Sequence, residues 1–313
     1  MNKLLVVYNT CGIMRQNENP QQYISNIQSI LDQNFDDMQI AVSSCLNSDA
    51  VKTTLKESFG DKISYNSIDL RLPVSITFNH TVHKCVEKYG EFEGYLYVDS
   101  GINFNSSRDN INKLYELFES NKYAMVCART NEDMGFETWF DSADGTELFE
   151  DEKLIVPVGQ AVNLHAQIFS HEILKTYGTI LPDIFAGQCM ESVFTFICAA
   201  INKSWSVHRD VILHHTTGMD GASAGFLPFA WEMQGNKKWD HLIGTKESIV
   251  DIIARGKEYG MGYEELQKIC MHDVDKFDEQ GHALDDRLAG YIRDNIYLQK
   301  SQLNYNDIEH NFS

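Results

Sequence analysis

An apolar run, Tyr95-Leu96-Tyr97-Val98, stops on a carboxylate, Asp99, and the next two residues are Ser100 and Gly101. A buried strand that ends this way can simply be a strand end with turn residues. It can also be a cation site. A divalent ion that holds a pyrophosphate needs hard oxygen ligands, usually one or two carboxylates, with phosphate and water completing its shell. Ser100 and Gly101 would leave space for that group. A second apolar run, Val211-Ile212-Leu213, delivers His214 and His215. Imidazole is a common further ligand beside a carboxylate. Adjacent strand residues point to opposite faces, so at most one of the pair faces a common site. A buried, hydrogen-bonded histidine is the plain alternative.

Two further carboxylates have chemistry open to them. In "DIFAGQCMESVFTFICAA" the residues Val193, Phe194, Ile197, Cys198 and Ile201 form the apolar stripe of a helix, and Glu191 lies at the N-terminal end of that face. It could complement the helix dipole, or act as an acid or base held against a cleft. Asp49, in "LNSD", could accept a hydrogen bond from a nucleobase imide or cap the helix that follows. His80 and His83 on a helix read as core or surface residues before a metal pair. Trp139 and Trp231 could stack a sugar or base, and a core or lid aromatic is the commoner case. "DVDKFDEQG" begins like a calcium loop but has Asp278 where the turn glycine belongs.

The elements that must position these residues alternate. Leu4 to Tyr8, Ile40 to Cys45, a weaker run near Ile63 to Ile68, the run at Tyr95 and Tyr123 to Ala128 read as strands. Between them, Tyr23, Ile27, Ile30 and Leu31 mark a helix, as do Phe78, Val82, Cys85 and Val86. Another opens at Ser106, with Asp109 three residues on as an acidic capping box, and turns Ile111, Leu114, Tyr115 and Phe118 inward. Strands apolar throughout, separated by amphipathic helices, predict an α/β fold: a mostly parallel, Rossmann-like sheet with helices on both faces. Ligands bind such sheets outside the carboxyl ends of the strands. "VYNT", "SSCLNSD" and "VDSG" all fall there. Residues 134 to 157 are irregular and acidic and read as a flap over that rim. After about residue 225 the pattern turns helical, with stripes at Ile249, Ile252, Ile253 and at Leu284, Leu288, Tyr291, Ile292, Ile296. The expected organisation is a sheet domain over 1–224 and a helical C-terminal region over 225–313, ending in a loose, polar tail of about a dozen residues.

Lys+Arg 26 against Asp+Glu 45 gives a net charge of −19. Such a surface repels nucleic acid and anionic membranes, and a small anionic ligand would need a local cation. Seven cysteines without a CxxC pair, mostly within apolar segments, indicate free thiols and not a disulfide framework. The short first apolar run reads as a strand and not a signal peptide, and no stretch is long enough to span a membrane, so a cytoplasmic location is the expectation. There is no Walker loop, GxGxxG or GxSxG.

Taken in order, these pieces resemble the nucleotide-sugar glycosyltransferases of the GT-A fold, in particular family-2-like enzymes, over roughly residues 3 to 218. "LLVVYN" and "IAVSSCLNSD" look like the base-binding half. "NHTVHKCVEKYGEFEGYLYVDSG" looks like the helix and strand leading into the metal-binding DxD motif. "AVNLHAQIFSHEILKTYGTILPD" is similar to the segment before the acceptor site, "GQCMESVFTFICAAINKSWSV" to the helix with the catalytic acid or base, and "VILHH" to the late metal-ligand strand. The resemblance implies transfer of a sugar from a nucleoside-diphosphate sugar, with UDP favoured, to an acceptor hydroxyl. It places Asn9, Thr10, Asp49, Asn79, Asp99, Ser100 and Gly101 around the donor. Mn²⁺ or Mg²⁺ would be held by Asp99 with His214 or His215, and Glu191 would be the catalytic carboxylate. The acceptor, a glycan, protein, small molecule or modified DNA base, is not readable. Two departures matter: Asp99-Ser100-Gly101 lacks the second DxD carboxylate, so a histidine, a more distant acid or the substrate must compensate, and Glu191 stands without an acidic neighbour. A nucleotidyltransferase would bring a Gly-rich basic loop after the first strand, where "NTCGIMRQ" offers one Gly and Arg15. A degenerate sugar- or nucleotide-binding module is the non-enzymatic reading.

Overall fold

The structure, a computed structural model, describes residues 2–11, 18–69, 72, 74–119, 123–130, 149–150, 153–154, 165–182, 197, 201, 203–216, 308 and 310–313. The first strand, β1 (Asn2–Cys11), lies inside the sheet, with paired strands on both sides. Leu4 through Tyr8 have no solvent exposure. A strand buried on both faces has to be apolar throughout, and each such side chain contributes about 1.5–3 kcal/mol of burial.

Chain order then runs α1 (Pro20–Leu31), β2 (Met38–Cys45), α2 (Asp49–Phe59), β3 (Ser64–Ile68), α3 (Val74–Tyr89), β4 (Phe92–Val98), β5 (Ile102–Asn103), α4 (Asn110–Glu119) and β6 (Tyr123–Thr130). A two-strand hairpin, β7 (Phe149–Glu150) and β8 (Lys153–Leu154), precedes β9 (Ala166–Ser170), α5 (His171–Tyr177), β10 (Ser204–His215) and β11 (His310–Phe312). The nine-stranded sheet has the order β11-β3-β2-β1-β4-β9-β6-β10-β5. Strands β1, β2, β3, β4, β6 and β10 run one way; β5, β9 and β11 run against them. The expected mostly parallel sheet is present.

Helices cover both faces. One core joins Leu4, Val6, Tyr8, Val42, Leu96, Val98 and Val126 to Tyr23, Ile27 and Ile30 of α1, Val51 and Leu55 of α2, and Ile111, Leu114 and Phe118 of α4. The opposite face takes α3 and α5, through Phe78 against Tyr97 and His171 against Tyr95. These helices start where local chemistry stops the strand: Asn19 caps α1 with Pro20 in its first turn, and Ser48 caps α2.

Two boundaries differ from expectation. Helix α4 begins at Asn110, not at Ser106. The Ser106 hydroxyl donates instead to the Ile212 carbonyl of β10, 2.8 Å away, so a tertiary contact takes the group that would have capped the helix. The end of the chain is not a loose tail either. His310–Phe312 pairs antiparallel with β3, and Tyr65 and Ser313 exchange two backbone hydrogen bonds of 3.0 Å. Backbone pairing needs no apolar pattern, which is why a polar segment can close a sheet edge. The expected helical stripes from 249 to 296, Trp139, Trp231, the 273–281 loop and most of the 134–157 flap lie outside the described residues, as does the boundary at 225.

Candidate functional site

The parallel register sets the rim. Thr10 is level with Ser44 and Cys11 with Cys45 across β1 and β2, while Tyr8 is level with Val98 across β1 and β4. The carboxyl ends of β1, β2 and β4 therefore lie side by side, with β1 at the point where the strand order reverses. That is where α/β sheets bind ligands.

Asp99 follows β4 directly. Its backbone carbonyl accepts from Ile102 N–H at 3.1 Å, making residues 99–102 a hydrogen-bonded turn, and its Oδ1 accepts from Ser100 N–H at 2.7 Å. The turn reading and the ligand reading of this stretch are thus compatible, because Oδ1 stabilises the turn and Oδ2 faces two histidines. Two imidazoles meet Oδ2: His165 Nδ1 at 3.7 Å and His215 Nε2 at 4.0 Å. The rings of His165 and His215 lie 4.4 Å apart, tilted by 30°. Asp99, His165 and His215 each offer a ligand atom, all within 4.8 Å of one another, and all three are partly buried.

Strand direction explains the meeting. β9 runs against β4 with Ala166 opposite Val98, so the residue before it, His165, arrives opposite Asp99, and its carbonyl accepts from Asp99 N–H at 2.8 Å. β10 ends at the same rim, where His215 pairs with Ile102 and Thr216 N–H donates to Gly101 O. His214, one residue earlier, is exposed, as the alternation of strand faces requires. Of the two candidate histidines, only His215 joins Asp99.

Gly101 does make room, but for a different group than expected. A Cβ there would come within 2.8 Å of the His215 ring and 2.9 Å of the Thr216 carbonyl. The space beside Asp99 on that side belongs to His215. Ser100 is buried, and its carbonyl accepts from Tyr8 Oη and from Asn26 Nδ2. Asn26, fully buried on α1, also accepts from Asn103 Nδ2 at 3.0 Å. Its amide ties both ends of the Asp99 turn to the first helix.

The remaining expected donor residues brace the rim. Asn9 donates to the carbonyls of Val7 and Val98, stitching β1 to β4, while its buried Oδ1 has no partner among the described residues. Thr10 donates to Asn47 Oδ1 at 2.7 Å, and Asn47 and the Ser48 N–H both donate to Glu18. Leu46 adopts φ 57°, a left-handed turn costing a non-glycine residue about 1–2 kcal/mol, and so swings Asn47 back beneath β1. Asp49 is fully exposed in the first turn of α2, where Ser48 and not Asp49 is the cap. Asn79 departs most from expectation. It is buried, its Oδ1 accepts from Ile180 and Leu181 N–H, and its Nδ2 donates to Leu181 O. It fastens α3 to the segment after α5. Glu191 lies outside the described residues.

No family model and no curated protein matches the sequence. Solved structures do. A mannosyltransferase from Pyrobaculum calidifontis, in complex with GDP-Man and Mn²⁺, aligns over 93% of this chain and 74% of its own, at 12% identity and a TM-score of 0.57. This chain has the GT-A fold. S. aureus TarS in complex with UDP is a further match, at 15% identity, covering 76% of this chain and 68% of its own, with a TM-score of 0.45, too low to bear on the fold. In this sheet β9 is inserted antiparallel between β4 and β6. It is this insertion that brings His165 to the carboxyl rim, and sequence reasoning missed it. The available signal was a histidine just before the apolar run Ala166–Phe169. Reading it required knowing that the strand enters the sheet at the end where the others leave. The donor set fits a divalent cation: one carboxylate oxygen and two imidazole nitrogens, from three elements, converge on one small volume.

Proposed function

We propose that the protein is a glycosyltransferase that moves a sugar from a nucleoside-diphosphate sugar to an acceptor hydroxyl. The observation that carries this reading is the convergence of Asp99, His165 and His215 at the carboxyl rim of a GT-A sheet, beside the β1/β4 switch point. A divalent cation at Asp99 and His215, Mn²⁺ or Mg²⁺, would offset the charge that builds on the leaving diphosphate. The acceptor oxygen bonds to the anomeric carbon. The bond from that carbon to the diphosphate breaks, with its electron pair staying on the diphosphate. The acceptor proton passes to a carboxylate, the role assigned to Glu191 in an inverting reaction. Asn9, Thr10, Asn47 and Glu18 shape the floor on which the nucleoside rests, and Asp49 at its edge, exposed and 3.8 Å from Lys52 Nζ, would meet the base. A UDP-sugar is the favoured donor.

The supporting argument is electrostatic as well as geometric. A chain of net charge −19 has no general attraction for a diphosphate; a bound cation supplies it locally. Thermal-shift titration with UDP, GDP and CDP and their sugars, with and without Mn²⁺, tests the proposal. The expected outcome is stabilisation by one diphosphate that depends on metal and is lost in Asp99→Ala. Turnover of the matching sugar in a donor-hydrolysis assay then separates an enzyme from a binding module. A folded protein that responds to no nucleotide would overturn the reading.

A further inference from the structure

We infer that the missing second carboxylate of the DxD pattern is replaced by His165, and that the resulting one-carboxylate, two-imidazole centre selects a first-row transition ion over Mg²⁺. The inference rests on the metal site of the proposed transferase and adds a ligand and a specificity to it. Asp99 Oδ2 lies 3.7 Å from His165 Nδ1 and 4.0 Å from His215 Nε2. Ligands about 2.1 Å from one ion stand about 3 to 3.5 Å apart, so modest rotations of the three side chains close the set around a cation. Backbone contacts on three sides hold the group in place: Asp99 N–H on His165 O, Ile102 N–H on Asp99 O, and Thr216 N–H on Gly101 O. The Gly101 cradle keeps the His215 ring against the Asp99 turn.

The donor chemistry decides the metal class. Mg²⁺ is held through carboxylates, water and phosphate and gives up its water reluctantly. Here one carboxylate is available and the other two donors are nitrogen. Imidazole favours transition ions, with affinity rising from Mn²⁺ through Co²⁺. Three protein ligands leave the other positions of a six-coordinate ion to diphosphate oxygens and water.

The test titrates chelator-treated full-length protein with Mn²⁺, Co²⁺ and Mg²⁺ in the absence of nucleotide. Expected are one Mn²⁺ bound per chain by loss of the free-ion EPR signal, tighter Co²⁺ binding, and Mg²⁺ binding at least tenfold weaker than Mn²⁺. Pulsed EPR should show nitrogen couplings from two imidazoles, and from one in His165→Ala, which should also weaken Mn²⁺ at least tenfold. His165→Gln, which keeps more of the bulk, should do the same with an unchanged metal-free melting temperature, while His214→Ala should change nothing. Equal affinity for Mg²⁺ and Mn²⁺, a single imidazole coupling, undiminished Mn²⁺ binding in both His165 variants, or no metal bound would each overturn the inference. The last result would make the cluster an acid–imidazole pairing only. Selective metal binding without any nucleotide response would leave this inference standing and sink the transferase reading. No metal bound, together with turnover of a nucleotide sugar, would do the reverse.

Discussion

At the residue scale, the chemistry of the rim depends on three atoms and one absent one. Asp99 Oδ2 and two imidazole nitrogens form the proposed cation site, and the missing Cβ of Gly101 lets His215 reach it. The Thr216 carbonyl is backbone and cannot rotate away, so Gly101→Ala must displace His215 or the 215–216 backbone. Overpacking of this kind typically costs about 1–3 kcal/mol. The expected outcome is a lower melting temperature together with at least a tenfold loss of Mn²⁺ affinity, read by isothermal titration. A variant that melts lower but binds metal normally would show that His215 is not seated by Gly101. The sequence displayed Asp99 and the His214-His215 pair plainly, since strand ends are legible from where apolar runs stop. Strand alternation allowed only one of the pair to turn inward, and the pairing of His215 with Ile102 decided which. His165 was invisible because its partner lies 66 positions away in sequence (165 − 99), and only the register of β9 against β4 puts them together.

At the element scale, Asn79 and His80 are among the buried polar residues of α3, and both serve the fold. Asn79 satisfies two N–H groups and one carbonyl of residues 180–181. Leaving buried backbone groups unpaired costs about 1–3 kcal/mol, so Asn79→Ala should lose stability of that order in urea denaturation. Metal affinity should stay at the wild-type value; a variant of normal stability and lost donor binding would restore Asn79 to the donor site. His80, buried one residue further on, lies 3.0 Å from Asn66 Nδ2 and packs edge-on against His310 of β11 with ring centroids 4.5 Å apart. Burial first, then the nearby His310, Lys84 and His83, lower its pKa from 6.5 to about 4, against a smaller opposing pull from Glu87. Between those values the unfolded chain binds a proton that the folded one refuses. The contribution to stability is therefore complete above about pH 6.5 and is lost as pH falls toward 4. Denaturation midpoints across pH 7 to 4 should show a flatter decline in His80→Gln than in wild type, and parallel declines would rule out His80 as the source.

At the scale of the whole molecule, the sheet among the described residues runs from β11 at one edge to β5 at the other, both short strands antiparallel to their neighbours. The C-terminal strand covers β3, whose unpaired edge would otherwise be a template for another chain. Removing residues 310–313 should lower the melting temperature and increase self-association, followed by light scattering. A truncated chain as stable and as monodisperse as the intact one would show that β3 needs no cover. The charge of −19 belongs at this scale as well. In the proposed reaction it would make diphosphate capture a local event at the cation site, since a surface this negative repels anions within about a Debye length.

The sequence by itself determined the alternation of strand and helix, the apolar strands that demand burial on both faces, and the polar rim at the ends of β1, β2 and β4. These are local properties: periodicity, composition and the residue at which an apolar run stops. It also singled out Asp99 and the His214-His215 pair, without choosing between the two. Only the tertiary structure decided that β9 enters antiparallel and brings His165 to the rim, that Gly101 yields its space to His215, that Asn79 braces the fold, and that a polar terminus completes the sheet. Each of these is a long-range pairing made through backbone groups or a single side chain. Such contacts leave no periodic trace in the sequence, because a hydrogen bond between distant segments needs one suitable residue and not a pattern.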